Sequence, residues 1–299
     1  MKKLLLVFAA LLVAVAAFGT GSPEALGTEL NPIVWAFVPS GDTTEIVAGG
    51  EEVADMIYDL TGLVVEVSVA ADYAGVISAL SSDPPSAHMT SLATFAYVLA
   101  ADRGVSEAAL VAVRYGSPTY NGQIIANVDS GINRLQDLVG KTFARPDPLS
   151  TSGWIIPMLT MRAAGVDPDT DLVEVLDAGG HTGVVSAVYN GDADAGATYV
   201  DARANIESDN PDVMDVVKVI ALTDDIPNDG VQFHPWVPDD IKQQIVDALL
   251  EIASTEDGQE ALGRAYQWNE LVERDDSFYD QFRQVLQASG LTAADLPID

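Results

Sequence analysis

The sequence predicts an α/β protein of two lobes with a helical tail, on three observations. Short apolar runs of strand length alternate with stretches whose apolar residues recur at helical spacing. The alternation starts afresh near Tyr120, which gives two α/β sets. The chain has 299 residues and is 48% apolar, enough to build two cores. Strand–helix–strand repetition leads to an expectation of mostly parallel pairing.

In the first set, "IVWAFVP" (33–39) reads as a buried strand. The following stretch places Ile46, Val47, Val53, Met56, Ile57 and Leu60 at helical spacing, with Gly62 as its stop. "LVVEVSVA" is a second strand and "DYAGVISALSS" a short helix. "SAHMTSL" leads as a strand end into the helix "TFAYVLAADRG", and "AALVAVRYG" and "YNGQIIANVDS" are further strands. In the second set come the strand "KTFARPD", the helix "SGWIIPMLTMRAAG", the strand "LVEVLDAG", the helix "HTGVVSAVYNGD", and the strands "AGATYVDA" and "VVKVIALTDD". From residue 238 the chain reads as helical to its end, with Pro238 at the start and Asp239 or Asp240 as cap. The expected division is residues 31–117 and 227–299 for one lobe and 118–226 for the other.

Formal net charge is −31, from 14 Lys and Arg against 45 Asp and Glu. That argues against nucleic acid or an anionic membrane surface as the main partner. The absence of cysteine removes disulfides, thiol catalysis and zinc–thiolate sites. At the start, two lysines precede a fifteen-residue apolar run, 4–18, with small residues Ala14, Ala16 and Ala17 near its end. This is shorter than the ~20 residues that span a bilayer. A cleaved secretory signal over 1–17 and a linker over 18–30 are expected, with an uncleaved anchor as the alternative.

Several motif-like stretches fail on inspection. "GKT" at 140–142 has Leu135 where a phosphate-binding loop needs glycine. "DPDTD" at 167–171 lacks the glycine and the closing glutamate of a calcium loop and reads as a surface turn. Three dispersed histidines, no HExxH and no GxSxG give no sign of an enzyme, a metal or a cofactor.

"DPLSTSGWIIP" (147–157) is different. One hydroxyl suffices to cap a helix, yet Ser150, Thr151 and Ser152 stand together before Gly153. Three hydroxyl donors, unpaired first-turn N–H groups and the positive helix end suit a tetrahedral oxyanion. An ordinary cap is the competing reading. Gly153 is expected to allow close approach, and Pro157 to kink the helix.

With "DYAGVISAL", "GSPTYNGQIIANVDSGINRLQDLVG", "GGHTGVVSAVYNGD" and "IPNDGVQF" in order around it, this segment resembles the substrate-binding components of phosphate, phosphite and phosphonate ABC importers. The resemblance covers roughly 33–290. It implies a type II periplasmic binding protein fold, two α/β lobes joined by two crossing segments that close on a ligand. It places Ser150, Thr151 and Ser152 on the phosphonate oxygens, with Tyr120 and His181 beside them. Tyr73 would reach the ligand's organic part, and Asp201 and Asp229 would face an ammonium; Thr90 and Ser91 are weaker candidates. Asp201 lies in a segment that departs from the family's usual glutamate wording. Of the basic residues, only His181 and Arg145 are expected nearby.

The resulting expectation is an exported monomer, in the periplasm or on the outer membrane face, that delivers a phosphonate such as 2-aminoethylphosphonate to an ABC permease. It would use no cofactor and perform no chemistry. Phosphite or phosphate is the alternative ligand. A ligand-binding sensor subunit, or an enzyme on the same fold, is the alternative of another class.

Overall fold

The structure, a computed structural model, describes residues 24–291; the expected signal segment lies outside them. The chain begins with β1 (Ile33–Phe37), α1 (Thr43–Thr61), β2 (Val65–Val69), α2 (Tyr73–Ser81), β3 (Met89–Ser91), α3 (Thr94–Asp102) and β4 (Glu107–Val113). It continues through β5 (Thr119–Asn127), β6 (Thr142–Arg145), α4 (Ile156–Ala163), α5 (Pro168–Asp171), β7 (Glu174–Asp177), α6 (His181–Asn190), β8 (Ala195–Tyr199), α7 (Val213–Val216) and β9 (Val217–Pro227). It ends with β10 (Gly230–Phe233), α8 (Asp239–Ala253), α9 (Glu256–Tyr266), β11 (Glu270–Glu273) and α10 (Asp280–Ala288).

These strands form two sheets, each the centre of one lobe. The first has six strands in the order β11-β4-β10-β3-β1-β2, the second five in the order β7-β6-β8-β5-β9. Local chemistry explains the first helix well. Asp42 accepts from the N–H groups of Thr44 and Glu45, Ile46, Val53 and Ile57 are buried, and Gly62 ends the helix in the left-handed region at φ 73°.

Pairing is mixed rather than mostly parallel. β1 is parallel to β2 and β3, and β6 to β7 and β8, but β10 is antiparallel to β3 and β4, β11 to β4, and β5 to β8 and β9. The cause lies in the two crossings. β4 passes to β5 and β9 returns directly into β10, so the outgoing and returning strands lie side by side in opposite directions, β4 beside β10 in one sheet and β5 beside β9 in the other. The tail also differs from the helical expectation. Pro238 is the N-cap residue of α8, Asp239 and Asp240 lie in its first turn, and the strand β11 interrupts the helices. Alternating exposure with Leu271 buried makes β11 a short edge strand that pairs with β4.

The crossings are tied to each other. The Ala112 N–H donates to the Asp229 carbonyl at 2.9 Å, and that of Asn228 to the Pro118 carbonyl at 2.8 Å. The Asn228 side-chain amide donates to the carbonyls of Ala112 and Ser117. The hinge is therefore a hydrogen-bonded double strand, and the cavity between the lobes opens beside it.

Candidate functional site

A cavity of about 760 Å³ lies between the sheets. Five helical N-termini reach it: those of α1, α2, α3 and α6, and the turn that leads into α4. α3 and α6 begin at Ala93 and Gly180, and neither has a side chain capping it. The Phe95 N–H of α3 donates instead to the Thr151 hydroxyl oxygen and the His181 N–H of α6 to the Ser40 carbonyl, so these helix ends bring mainly their dipoles to the cavity.

The segment at 150–155 is a wide, π-type turn. The N–H groups of both Trp154 and Ile155 donate to the Ser150 carbonyl at 3.0 Å, and α4 follows with Pro157 in its first turn. Pro157 thus sits where its missing N–H costs little, after the wide turn. The three hydroxyls divide their work. Ser150 Oγ accepts from the Gly153 N–H at 3.2 Å, and Thr151 Oγ1 accepts from the Phe95 N–H of the opposite lobe at 2.8 Å. A hydroxyl that accepts keeps its own proton to donate. These backbone bonds fix the oxygens while leaving O–H groups for a ligand. Gly153 has another purpose than the one expected: a Cβ there would lie 2.3 Å from Pro146 Cδ, so the glycine admits proline, not ligand.

Two tyrosines close the inner wall. Burial raises the Tyr73 hydroxyl well above its ordinary range, and burial with Asp229 nearby pushes Tyr120 up to about 12. Both are neutral O–H donors at physiological pH. Asp147 supports this corner, accepting from the N–H groups of Leu149 at 2.7 Å and Tyr73 at 3.2 Å.

His181 opens α6 with its ring 4.7 Å from that of Tyr199. Burial lowers its pKa to about 3, so it is neutral. Nδ1 is sealed from solvent without a partner. A buried bare lone pair costs less than a buried unmet N–H, which assigns the proton to Nε2. Nε2 is then the donor left for the cavity.

The lobes touch across this site. The His181 N–H donates to the Ser40 carbonyl at 3.0 Å, and the Phe95 N–H to Thr151 Oγ1 at 2.8 Å. Gly180, at φ 154°, sits where a Cβ would come within 3.0 Å of the Pro39 carbonyl oxygen. This is a closed arrangement.

A family profile described as the periplasmic substrate-binding protein of phosphonate ABC transporters matches residues 35–279. The chain belongs to that family. It is 32% identical over 200 residues, 63% of its length, to the phosphate-import protein PhnD of Mycolicibacterium smegmatis, covering 62% of that protein. It is 27% identical over 208 residues, 68% of its length, to the phosphonates-binding periplasmic protein of Escherichia coli K12, covering 61%. The matched stretch thus spans about three fifths of these curated relatives. Its fold is that of a binding protein component of a phosphonate ABC transporter from Pseudomonas aeruginosa, with TM-score 0.79, 24% identity and 87% of each chain covered. The methylphosphonate-bound protein from Prochlorococcus marinus shares it too, with TM-score 0.76, 13% identity, and 87% and 98% covered.

Eight of the ten residues expected in this family member's site line the cavity: Tyr73, Tyr120, Ser150, Thr151, Ser152, His181, Asp201 and Asp229. Thr90 and Ser91 do not. They are buried in β3, where the Thr90 hydroxyl donates to Gln232 Oε1 and Ser91 Oγ accepts from the Trp35 indole N–H. Arg145 is also displaced from the site: it pairs with Asp177 at 2.5 Å and covers the Trp154 ring. Asp201 stands at the rim with its side chain 75% exposed.

Arg114 is the residue the sequence reading missed. It lines the cavity and pairs with Asp229, with Nη1–Oδ1 2.5 Å and Nη2–Oδ2 3.1 Å. At the end of an apolar strand run it reads as a solvated terminal charge. The available signal was its place in the "AVRYGSP" crossing, opposite "PND" in the returning one. Tyr199, Tyr266 and Gln267 also line the cavity and were not foreseen.

Proposed function

We propose that this chain is an exported solute-binding protein that captures a phosphonate-class oxyanion in the cavity between its lobes and delivers it to an ABC permease. Residues 31–117 and 227–299 form one lobe in this reading and 118–226 the other. The observation that carries it is the meeting of the 150–152 hydroxyls with the N-terminal dipoles of α3 and α6 at one cavity. Hydroxyls and N–H dipoles supply the positive field that an anion needs, without a free lysine.

Ser150, Thr151, Ser152 and Tyr120 donate to the phosphonate oxygens, and His181 donates from Nε2. Tyr73 packs on the ligand's organic part. Bonds from both lobes favour the closed state, so binding and hinge closure are one event. No covalent step is involved. Within the class, an aminated ligand such as 2-aminoethylphosphonate would turn its ammonium toward Asp201 or Asp229, whose side chains line the cavity, whereas an unaminated phosphonate makes no such demand. Phosphate is the second reading, favoured by the name of the M. smegmatis relative.

Calorimetric titration of the chain without residues 1–17 tests the reading, using methylphosphonate, 2-aminoethylphosphonate and phosphate. At least one binds with a Kd of micromolar order or tighter, and Ser152→Ala weakens it about tenfold, the equivalent of roughly 1.4 kcal/mol for one hydrogen bond to a charged group. Absence of binding by all three overturns it.

A further inference from the structure

We propose that Arg114 sets the ligand selectivity of the cavity by neutralising Asp229, so that the site favours a tetrahedral oxyanion without an ammonium group. The inference rests on the proposed phosphonate-class reading and narrows it.

The argument starts from donor counting. A guanidinium has five N–H donors, and all five of Arg114 are engaged. Nε and Nη2 donate to the Tyr266 carbonyl at 3.3 and 3.0 Å; Nη1 donates to Asn228 Oδ1 at 3.0 Å and to Asp229 Oδ1; Nη2 donates to Asp229 Oδ2. The two side chains are only 15% and 12% exposed. Arg114 cannot turn aside without stranding buried donors. An ammonium brought to Asp229 therefore meets a carboxylate that is already neutralised, with a like charge beside it.

The other carboxylates around the cavity offer no vacant seat. Asp42, which caps α1, Asp225, which accepts from the Asn121 amide at 2.9 Å, and Glu45, 4.0 Å from Arg264, are all exposed, so water and salt screen their charge rather than a closed pocket strengthening it. Asp201 lies 4.0 Å from Arg203 and is largely in solvent, where its charge is screened. A neutral P–OH group is accommodated well. Asp229 retains lone pairs to accept its proton, and its pairing with Arg114 removes the net negative charge that would repel the anion.

Ethylphosphonate and 2-aminoethylphosphonate differ by the amine alone, and their competition in the full-length protein isolates its effect. The expected result is ethylphosphonate at least tenfold tighter. In Arg114→Gln the ratio moves at least tenfold toward the amine, because Asp229 is released; a merely structural role would weaken both ligands alike. Tighter binding of 2-aminoethylphosphonate by the unaltered protein overturns the inference and leaves the phosphonate reading standing. An unchanged ratio in a folded Arg114→Gln protein also overturns it. Binding of neither ligand, nor of phosphate, removes the parent reading and this one together. The unaltered protein alone decides the matter if the variant does not fold.

Discussion

His181 shows how a single side chain can serve a site and cost the fold. Its buried ring is a neutral donor at the pH where an anion is dianionic or monoanionic, and the same burial makes protonation unfavourable. The folded-state pKa of about 3 lies below the ordinary 6.5. As pH falls, the unfolded chain takes the proton first, so stability is flat above about pH 6.5 and declines from there toward pH 3. Each unit is worth about 1.4 kcal/mol, which makes the ligand-free protein roughly 2 kcal/mol less stable at pH 5 through this residue. Urea denaturation at pH 7 and pH 5 should show His181→Gln losing less stability on acidification than the unaltered chain. Parallel losses would assign the acid sensitivity to carboxylates instead. Ser150, Thr151 and Ser152 stood out as a cluster, but an ordinary helix cap would explain them alone; the order of the motifs around them is what pointed to a site. Arg114 did not stand out, because its meaning comes from a partner more than a hundred positions away.

The turn into α4 joins local chemistry to the cavity. Ser150 caps it, Thr151 reaches the other lobe, and Gly153 lets Pro146 pack beneath it; an added Cβ would also lie 2.9 Å from Ser150 Oγ, the capping oxygen. Gly153→Ala should therefore cost about 1–3 kcal/mol of stability, the range for overpacking a filled interior. It should also weaken ligand binding, because the displaced atom is the Ser150 hydroxyl. Denaturation midpoints and calorimetry on the same preparation would check both; lost stability with intact affinity would show that Ser150 does not touch the ligand. Most elements were readable from period and punctuation, as Gly62 and Pro238 illustrate. Pairing direction was not. Whether β10 lies parallel or antiparallel to β3 depends on where the chain returns from the second lobe, and no local pattern records that. β11 was missed because four residues between helices carry too little alternation to identify a strand.

At the scale of the whole molecule, the proposed ligand is an anion and the chain's net charge is −31. The site offsets this locally through dipoles and hydroxyls, with Asp229 neutralised by Arg114, but an approaching anion experiences the global field first. Repulsion between like charges slows encounter when the field reaches far, and salt shortens its reach. The Debye length is about 30 Å at 0.01 M and about 8 Å at 0.15 M. At low salt a phosphonate therefore meets the repulsion of both lobes; at higher salt it meets mainly the inner wall. The association rate should rise with ionic strength between these limits, opposite to the fall seen when charge steers a ligand inward. The dissociation rate should change less, since it is governed by contacts inside the closed cavity. Trp154 lies in the turn at the site, 5% exposed, and its fluorescence gives a stopped-flow signal without a label. A rate that falls as salt is added would mean that the cleft presents a positive field strong enough to overcome the surrounding carboxylates. The converging helix ends would then govern capture as well as retention.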